Sequence, residues 1–303
     1  MASDSKQRLR YLEPATLQKL APLELIARQV VEGMRVGHHK SPLRGFSTEF
    51  AQHRPYVHGD ELKHIDWRVY GRSSRYYVKL YEAETNFTAT LLVDGSRSMH
   101  FGSHATNKLE YVKYMAASLA YLTVQQHDSV GLGVFDGQLR NYVPPKGTMG
   151  VIRTIDEELS RVQPEPRTDI AGILHEFAQR IPRRGVVMLF SDLFDHVEEF
   201  LKGIDHLRFR GHNVVVFHTL DPAELEFPFD GTCRFRGLEN EGDIVTQPRR
   251  IRAAYLKEVG NFIRQIKVAC ERAEVDYVLT DTSRPVAEVL TGFLIHRMHT
   301  GAR

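Results

Sequence analysis

"LLVDGSRSMHFG", residues 91–102, decides how the rest of the chain is read. An apolar run leads into Asp94 and Gly95, and two serines, Ser96 and Ser98, follow with one residue between them. Such a run reads as a strand buried on both faces. It ends in side chains that offer only hard oxygen. Oxygen donors crowded on one turn have two uses: they cap a following helix, or they hold a hard cation. The stretch by itself leaves both open, the helix to be capped being the one predicted over 108–128.

The same kind of run recurs downstream. "SVGLGVFD" (129–136), "GVVMLFSD" (185–192), "HNVVVFHTL" (212–220) and "VDYVLTDT" (275–282) all read as strands, joining "FTATLLVD" (87–94). Helical periodicity separates them. Leu109, Val112, Ala116, Leu119 and Thr123 recur at spacings of three and four, and further helices are predicted over 148–161, 169–181, 249–273 and 284–299, with another in "HVEEFLKGIDHLRFRG". Strands apolar on both faces that alternate with helices form an α/β fold, a doubly wound, mostly parallel sheet flanked by helices. "LRNYVPP" (139–145) reads as a short edge strand ended by two prolines. Residues 221–247 lack helical period and are rich in Gly, Asp and Asn, which predicts a β-hairpin insertion on the sheet edge.

In such a sheet, ligands bind beyond the carboxyl ends of the strands, where the strand order reverses. Asp94, Ser96 and Ser98 lie just past one such end, and Asp192 ends "VVMLFSD". Thr168 follows the proline-rich "QPEPRT" loop and opens a helix. Converging, these five residues would make an all-oxygen site suited to Mg²⁺ or Mn²⁺. Thr168 and Asp169 also read as a plain helix N-cap, a role compatible with the first.

Residues 1–85 differ in character from 86–303 and are read as a separate N-terminal part. A helix over 15–33 carries Leu17, Leu20, Leu23, Ile26, Ala27 and Val30 on one face, and a basic, loop-rich module follows. Between 35 and 79 there are nine Lys or Arg against four Asp or Glu, an excess of five positive charges, with five histidines. His38, His39, His53, His58 and His64 show no helical metal spacing, so zinc is not expected. The interleaved aromatics make nucleic acid an alternative ligand. The preferred reading pairs the arginines with Glu49, Asp60 and Asp66, finds carboxylate partners for Arg54 and Arg68, and packs Trp67 against the fold. The net charge of +2 does not argue for nucleic acid.

The two cysteines, Cys233 and Cys270, have no metal-ligand spacing and suggest a reducing compartment. No signal-type segment opens the chain and no apolar run is long enough for a membrane span, so a cytoplasmic protein is expected. GxSxG, GxxxxGK[ST] and GxGxxG are absent, which removes the nucleophile elbow and common nucleotide loops. An enzyme is not expected. A metal-dependent hydrolase using the same oxygen site stays as an alternative.

The combination DxSxS, a distant Thr and a distant Asp resembles the metal-ion-dependent adhesion site of von Willebrand factor type A domains, over roughly 85–300. The stretch "RGFSTEFAQHRPYVHGDELKHIDWRVYGRSSRYYVKLYEAETNFTATLLVDGSRSM" resembles the bacterial "domain of unknown function 58" family. That resemblance implies a von Willebrand factor A-like domain behind a basic module, and a MoxR-type AAA+ ATPase as partner. It also implies that Ser96 and Ser98 bind the metal directly, that Asp94 and Asp192 hold metal-bound waters, and that Thr168 is a ligand. One coordination position would remain for an acidic side chain of a client protein. Arg97 and Arg167 flank this set, and an inward-pointing guanidinium would repel the cation.

Overall fold

The structure is a computed structural model; it describes residues 9–37, 49–58, 60, 62, 65–82, 87–163, 170–181, 184–194, 197–238 and 242–300. It divides into two compact units, Met34–Asn86 on one hand and Met1–Gly33 with Phe87–Arg303 on the other.

The larger unit is built on a six-stranded sheet. In chain order its strands are β3 (Thr88–Asp94), β4 (Ser129–Phe135), β5 (Leu139–Lys146), β6 (Val186–Ser191), β7 (Asn213–Leu220) and β10 (Asp276–Asp281). They lie side by side as β10-β7-β6-β3-β4-β5. All neighbours are parallel except β4 and β5. The chain leaves β3 in one direction to β4 and returns on its other side with β6, so the strand order reverses at β3. That reversal opens a crevice beside the end of β3.

Both faces of the sheet are covered, which is why the central strands are apolar throughout. On one face α5 (Ile170–Arg180), α6 (Val197–Phe209) and α8 (Pro248–Arg272) meet Leu92, Phe135, Leu189 and Val216 in one core. On the other lie α3 (Lys108–Gln125) and α9 (Val286–Thr300), where Phe190 stacks on Phe217 and Phe217 meets Phe293 edge-on. β5 keeps both of its prolines inside the strand, tolerated because it is an edge.

Three expectations change. The first helix, α1 (Pro14–Gly37), belongs to the larger unit as far as Gly33, so most of it does not group with the basic segment. Leu20, Leu23 and Ala27 are buried, and just upstream the backbone N–H groups of Arg10 and Tyr11 donate to the two oxygens of Asp156 on α4 (Met149–Arg161), each at 2.9 Å. Residues 221–247 are not a simple hairpin on the sheet edge. Asp221 and Glu224 form a capping box that starts the helix α7 (Pro222–Glu226), and β8 (Cys233–Arg236) pairs with β9 (Asp243–Thr246) as a separate two-stranded sheet. The hairpin is fastened by aromatic contacts instead: Phe227 stacks on both Phe235 and Tyr255 of α8.

The third concerns the smaller unit, which holds more regular structure than a loop-rich module. β1 (Glu49–Pro55) pairs antiparallel with β2 (Tyr77–Glu82), and α2 (Trp67–Ser73) lies between them. Asp66 caps α2 by accepting from the Arg68 and Val69 N–H groups, and its other oxygen meets His53 Nε2 at 3.0 Å. Arg54 pairs with both oxygens of Asp60 at 2.7 and 2.8 Å, as expected. The Arg68 guanidinium has no carboxylate partner among the described residues; Asp66 gives one oxygen to the cap and the other to His53. Trp67 does not pack inward. It is 59% exposed and touches Tyr70 edge-on.

Candidate metal centre

The opening question, cap or cation, is answered first at α3. Its N-cap is Asn107, whose side chain accepts from the Glu110 N–H at 2.8 Å. The hydroxyls of Ser96 and Ser98 therefore do not cap this helix. They face each other instead, with their oxygens 3.0 Å apart. Ser98 opens a single 3₁₀ turn, Ser98–His100, which anchors on buried Met99. Arg97 is exposed, so its guanidinium does not replace a cation.

Asp94 is buried at the end of β3. One of its oxygens accepts from the Ser96 N–H at 2.9 Å and the other from the Ser191 hydroxyl at 2.5 Å. Ser191 in turn accepts from the Leu193 N–H at 3.0 Å. Leu193 is itself in the left-handed region, φ 56°, which a bulky residue seldom occupies. Its side chain is buried, and that anchor sustains the sharp turn after β6. Burial, with the neighbouring Asp192 second, raises the Asp94 pKa to about 7 against the opposing hydrogen bonds from Ser191 and Ser96. The site thus holds a carboxylate short of stabilising positive charge.

Asp192 has found some of that charge. Its Oδ2 accepts from Lys108 Nζ at 2.8 Å, and the same ammonium donates to Glu224 at 2.7 Å. Lys108 has no exposed side-chain surface. Burial works against its charge, but Asp192 and Glu224 more than offset this and its pKa is raised. Below Asp192 sits buried His218, driven to about 4 by desolvation despite the nearby aspartate and therefore neutral; its Nδ1 meets the Tyr277 hydroxyl at 2.7 Å.

The structure thus brings together Asp94, Ser96, Ser98 and Asp192 around one strand-order reversal. Thr168 and Arg167 lie outside the described residues, as do His38, His39 and His64. Among the described residues no group of three or more His, Cys, Asp or Glu side chains could hold a metal. A cation at this crevice would depend on the hydroxyls. Their spacing suits it: adjacent corners of a Mg²⁺ octahedron with ligands near 2.1 Å lie about 3.0 Å apart. The donor set is all oxygen, which also suits Mg²⁺ or Mn²⁺. Ser96 and Ser98 would hold such an ion, and Asp94 and Asp192 would hold its waters. Bound there, the ion would supply a partly uncompensated positive charge.

Sequence reasoning missed Lys108, Ser191 and Glu224. Lys108 left one trace, a cation at the first position of a helix, where the dipole disfavours it. Ser191 left none, and Glu224 left only the Asp-x-x-Glu spacing of a capping box, because the Asp94 and Lys108 partners of these two residues are distant in sequence.

This is a doubly wound α/β protein with a hydroxyl–carboxylate cluster at the reversal of its strand order. Residues 52–261 match the family model described as "Protein of unknown function DUF58", and the chain belongs to that family. Uncharacterised proteins of Mycobacterium bovis and Mycobacterium tuberculosis are each 25% identical to it over 231 residues, covering 75% of this chain and 72% of theirs. Solved structures with a similar fold include the conserved hypothetical protein BatB from Bacteroides thetaiotaomicron, 19% identical with a TM-score of 0.49, covering 71% of this chain and 99% of that one. The SpRpn10 VWA domain is 12% identical with a TM-score of 0.41, covering 69% and 95%. No helix among the described residues is long and apolar enough to cross a membrane.

Proposed function

We propose that this protein is a non-enzymatic, metal-dependent protein-interaction module. It binds Mg²⁺ or Mn²⁺ on Ser96 and Ser98, with Asp94, Asp192 and Thr168 completing the site, and it uses that ion to engage an acidic side chain of another protein. The observation that carries the reading is the pair of serine oxygens 3.0 Å apart beside buried Asp94. Two neutral ligands leave the ion most of its charge, so an incoming carboxylate completes its coordination without any bond being made or broken. The resemblance in sequence supplies the partner: a MoxR-type AAA+ ATPase, for which this protein acts as an adaptor presenting a client in the cytoplasm.

Calorimetric titration with Mn²⁺ and Mg²⁺ tests the first part. Binding at millimolar concentration or below is expected, with a rise in melting temperature, because a ligand of the folded state stabilises it by mass action. No heat and no shift for either ion would overturn it. For the second part, association with the ATPase or client should vanish in EDTA and return with Mg²⁺. Association indifferent to EDTA would move the interaction surface elsewhere.

A further inference from the structure

Lys108 breaks two local rules at once. It is an ammonium with no exposed side-chain surface, and it stands at the first position of α3, where the helix dipole repels positive charge. A residue that breaks such rules inside a well-packed core marks a place where function outweighs stability. Its surroundings say which function. Its ammonium is held by Asp192 and Glu224, at 2.8 and 2.7 Å, and lies 5.1 Å from the centre of the Phe194 ring. Glu224 is itself fixed, since its other oxygen accepts from the Asp221 N–H at 2.8 Å as part of the α7 capping box. The lysine is thus seated firmly against Asp192, a carboxylate of the candidate metal centre. Asp192's remaining oxygen accepts from the Phe194 N–H at 3.3 Å.

We propose that Lys108 is a resident cation that competes with a divalent metal for Asp192, holding metal affinity down and keeping the bound metal open to an anionic partner. This rests on the metal reading above and names how that site is tuned. The electrostatics are simple. Asp94, Asp192 and Glu224 are three carboxylates, and Lys108 offsets one of them. Without the lysine a divalent ion would meet the full negative charge of all three and bind tightly, but the loaded site would then repel an incoming carboxylate. With the lysine, the ion binds more weakly and the loaded site stays receptive. A lysine that merely braces β6 to α7 makes the opposite prediction, because removing a brace loosens the site and weakens metal binding.

The test is Mn²⁺ titration of wild type and Lys108→Met, followed by calorimetry, with circular dichroism as the check on folding. We expect the variant to bind Mn²⁺ at least tenfold more tightly. Binding by the variant alone, with none in wild type, would uphold the role of Lys108 and overturn the metal reading for the natural chain. Equal or weaker binding by a folded variant, with wild type binding, would overturn the role of Lys108 and leave the metal reading standing. No binding by either would overturn both. If Lys108→Met does not fold, Lys108→Gln keeps a hydrogen-bond donor without the charge, on a side chain one atom shorter, and the same comparison applies. Glu224→Gln provides a further check of opposite sign. It leaves the ammonium to Asp192 alone, and Mn²⁺ should bind at least threefold more weakly than to wild type; unchanged or tighter binding would count against the proposal.

Discussion

Asp94 and Asp221 are the same residue type in nearly the same place, and they have opposite chemistry. Each is buried and each stands at the carboxyl end of a parallel strand. Asp221 is saturated. It accepts from the Ser103 N–H at 2.9 Å, the Ser103 hydroxyl at 2.5 Å and the Ala223 N–H at 2.8 Å, and so it starts α7. Burial alone would raise its pKa, but those bonds carry it below the ordinary carboxylate value. Asp94 has two such bonds and a second carboxylate nearby, and its pKa goes up. A buried aspartate can thus be a finished cap or half of an unfinished site. The number of donors aimed at it decides which.

The largest expected effect separates the two directly. Asp94→Ala should lower Mn²⁺ affinity at least a hundredfold by calorimetry while the far-ultraviolet spectrum stays native. Retained affinity would mean that Asp94, like Asp221, only organises a turn.

The pH dependence comes next. Asp94, with a folded pKa of about 7, holds its proton more tightly when folded than when unfolded, where its pKa is about 4. Without a divalent ion, its contribution to stability should therefore fall as pH rises from about 4 to about 7, by on the order of 3 kcal/mol. Asp221 is depressed, so its contribution is present above its unfolded pKa and is lost as pH falls through its folded one. Denaturant melts of wild type, Asp94→Asn and Asp221→Asn between pH 3 and pH 8 read both slopes. The two variants should remove slopes of opposite sign, and slopes of the same sign would erase the contrast.

Asp221→Ala should cost about 1–2 kcal/mol through the lost cap and the orphaned donors of Ser103 and Ala223. Its Mn²⁺ affinity should stay within about threefold of wild type, because these bonds do not involve the serine pair. A loss as deep as that of Asp94→Ala would show one continuous site rather than two. The smallest effect is that of Ser98→Ala: roughly tenfold weaker Mn²⁺ binding, with stability changed by no more than about 0.5 kcal/mol, since half-buried Ser98 bonds chiefly to Ser96. A large loss of stability would assign that hydroxyl to the fold.

Much of this is legible in the sequence alone. The central strands announce themselves because a sheet covered on both faces demands unbroken apolar runs, and "GVVMLFSD" could be little else. Asp94, Ser96 and Ser98 were legible for a related reason: oxygen donors at the end of such a run sit where a doubly wound sheet opens. Local spacing carried no comparable information about Trp67, whose exposure at the first position of α2 is set by what the folded chain leaves around it. Nor did it show that residues 222–226 form a helix, because the capping box of Asp221 and Glu224 is short and lies in a segment without period.

The strand order that reverses at β3 is a product of the fold, whereas the sequence by itself determined the alternation of strands and helices and the identity of the oxygen donors at the end of the strand 87–94. These follow from periodicity and from residue type, which are local. Only the tertiary structure decided that Asn107, not the serines, caps α3, and that the hydroxyls are left to face each other. It alone decided that Lys108 reaches across 84 residues to Asp192 and across 116 to Glu224. Pairings of buried charge are chosen by which side chains the packed helices bring within about 3 Å, and that distance exists only once the chain is folded.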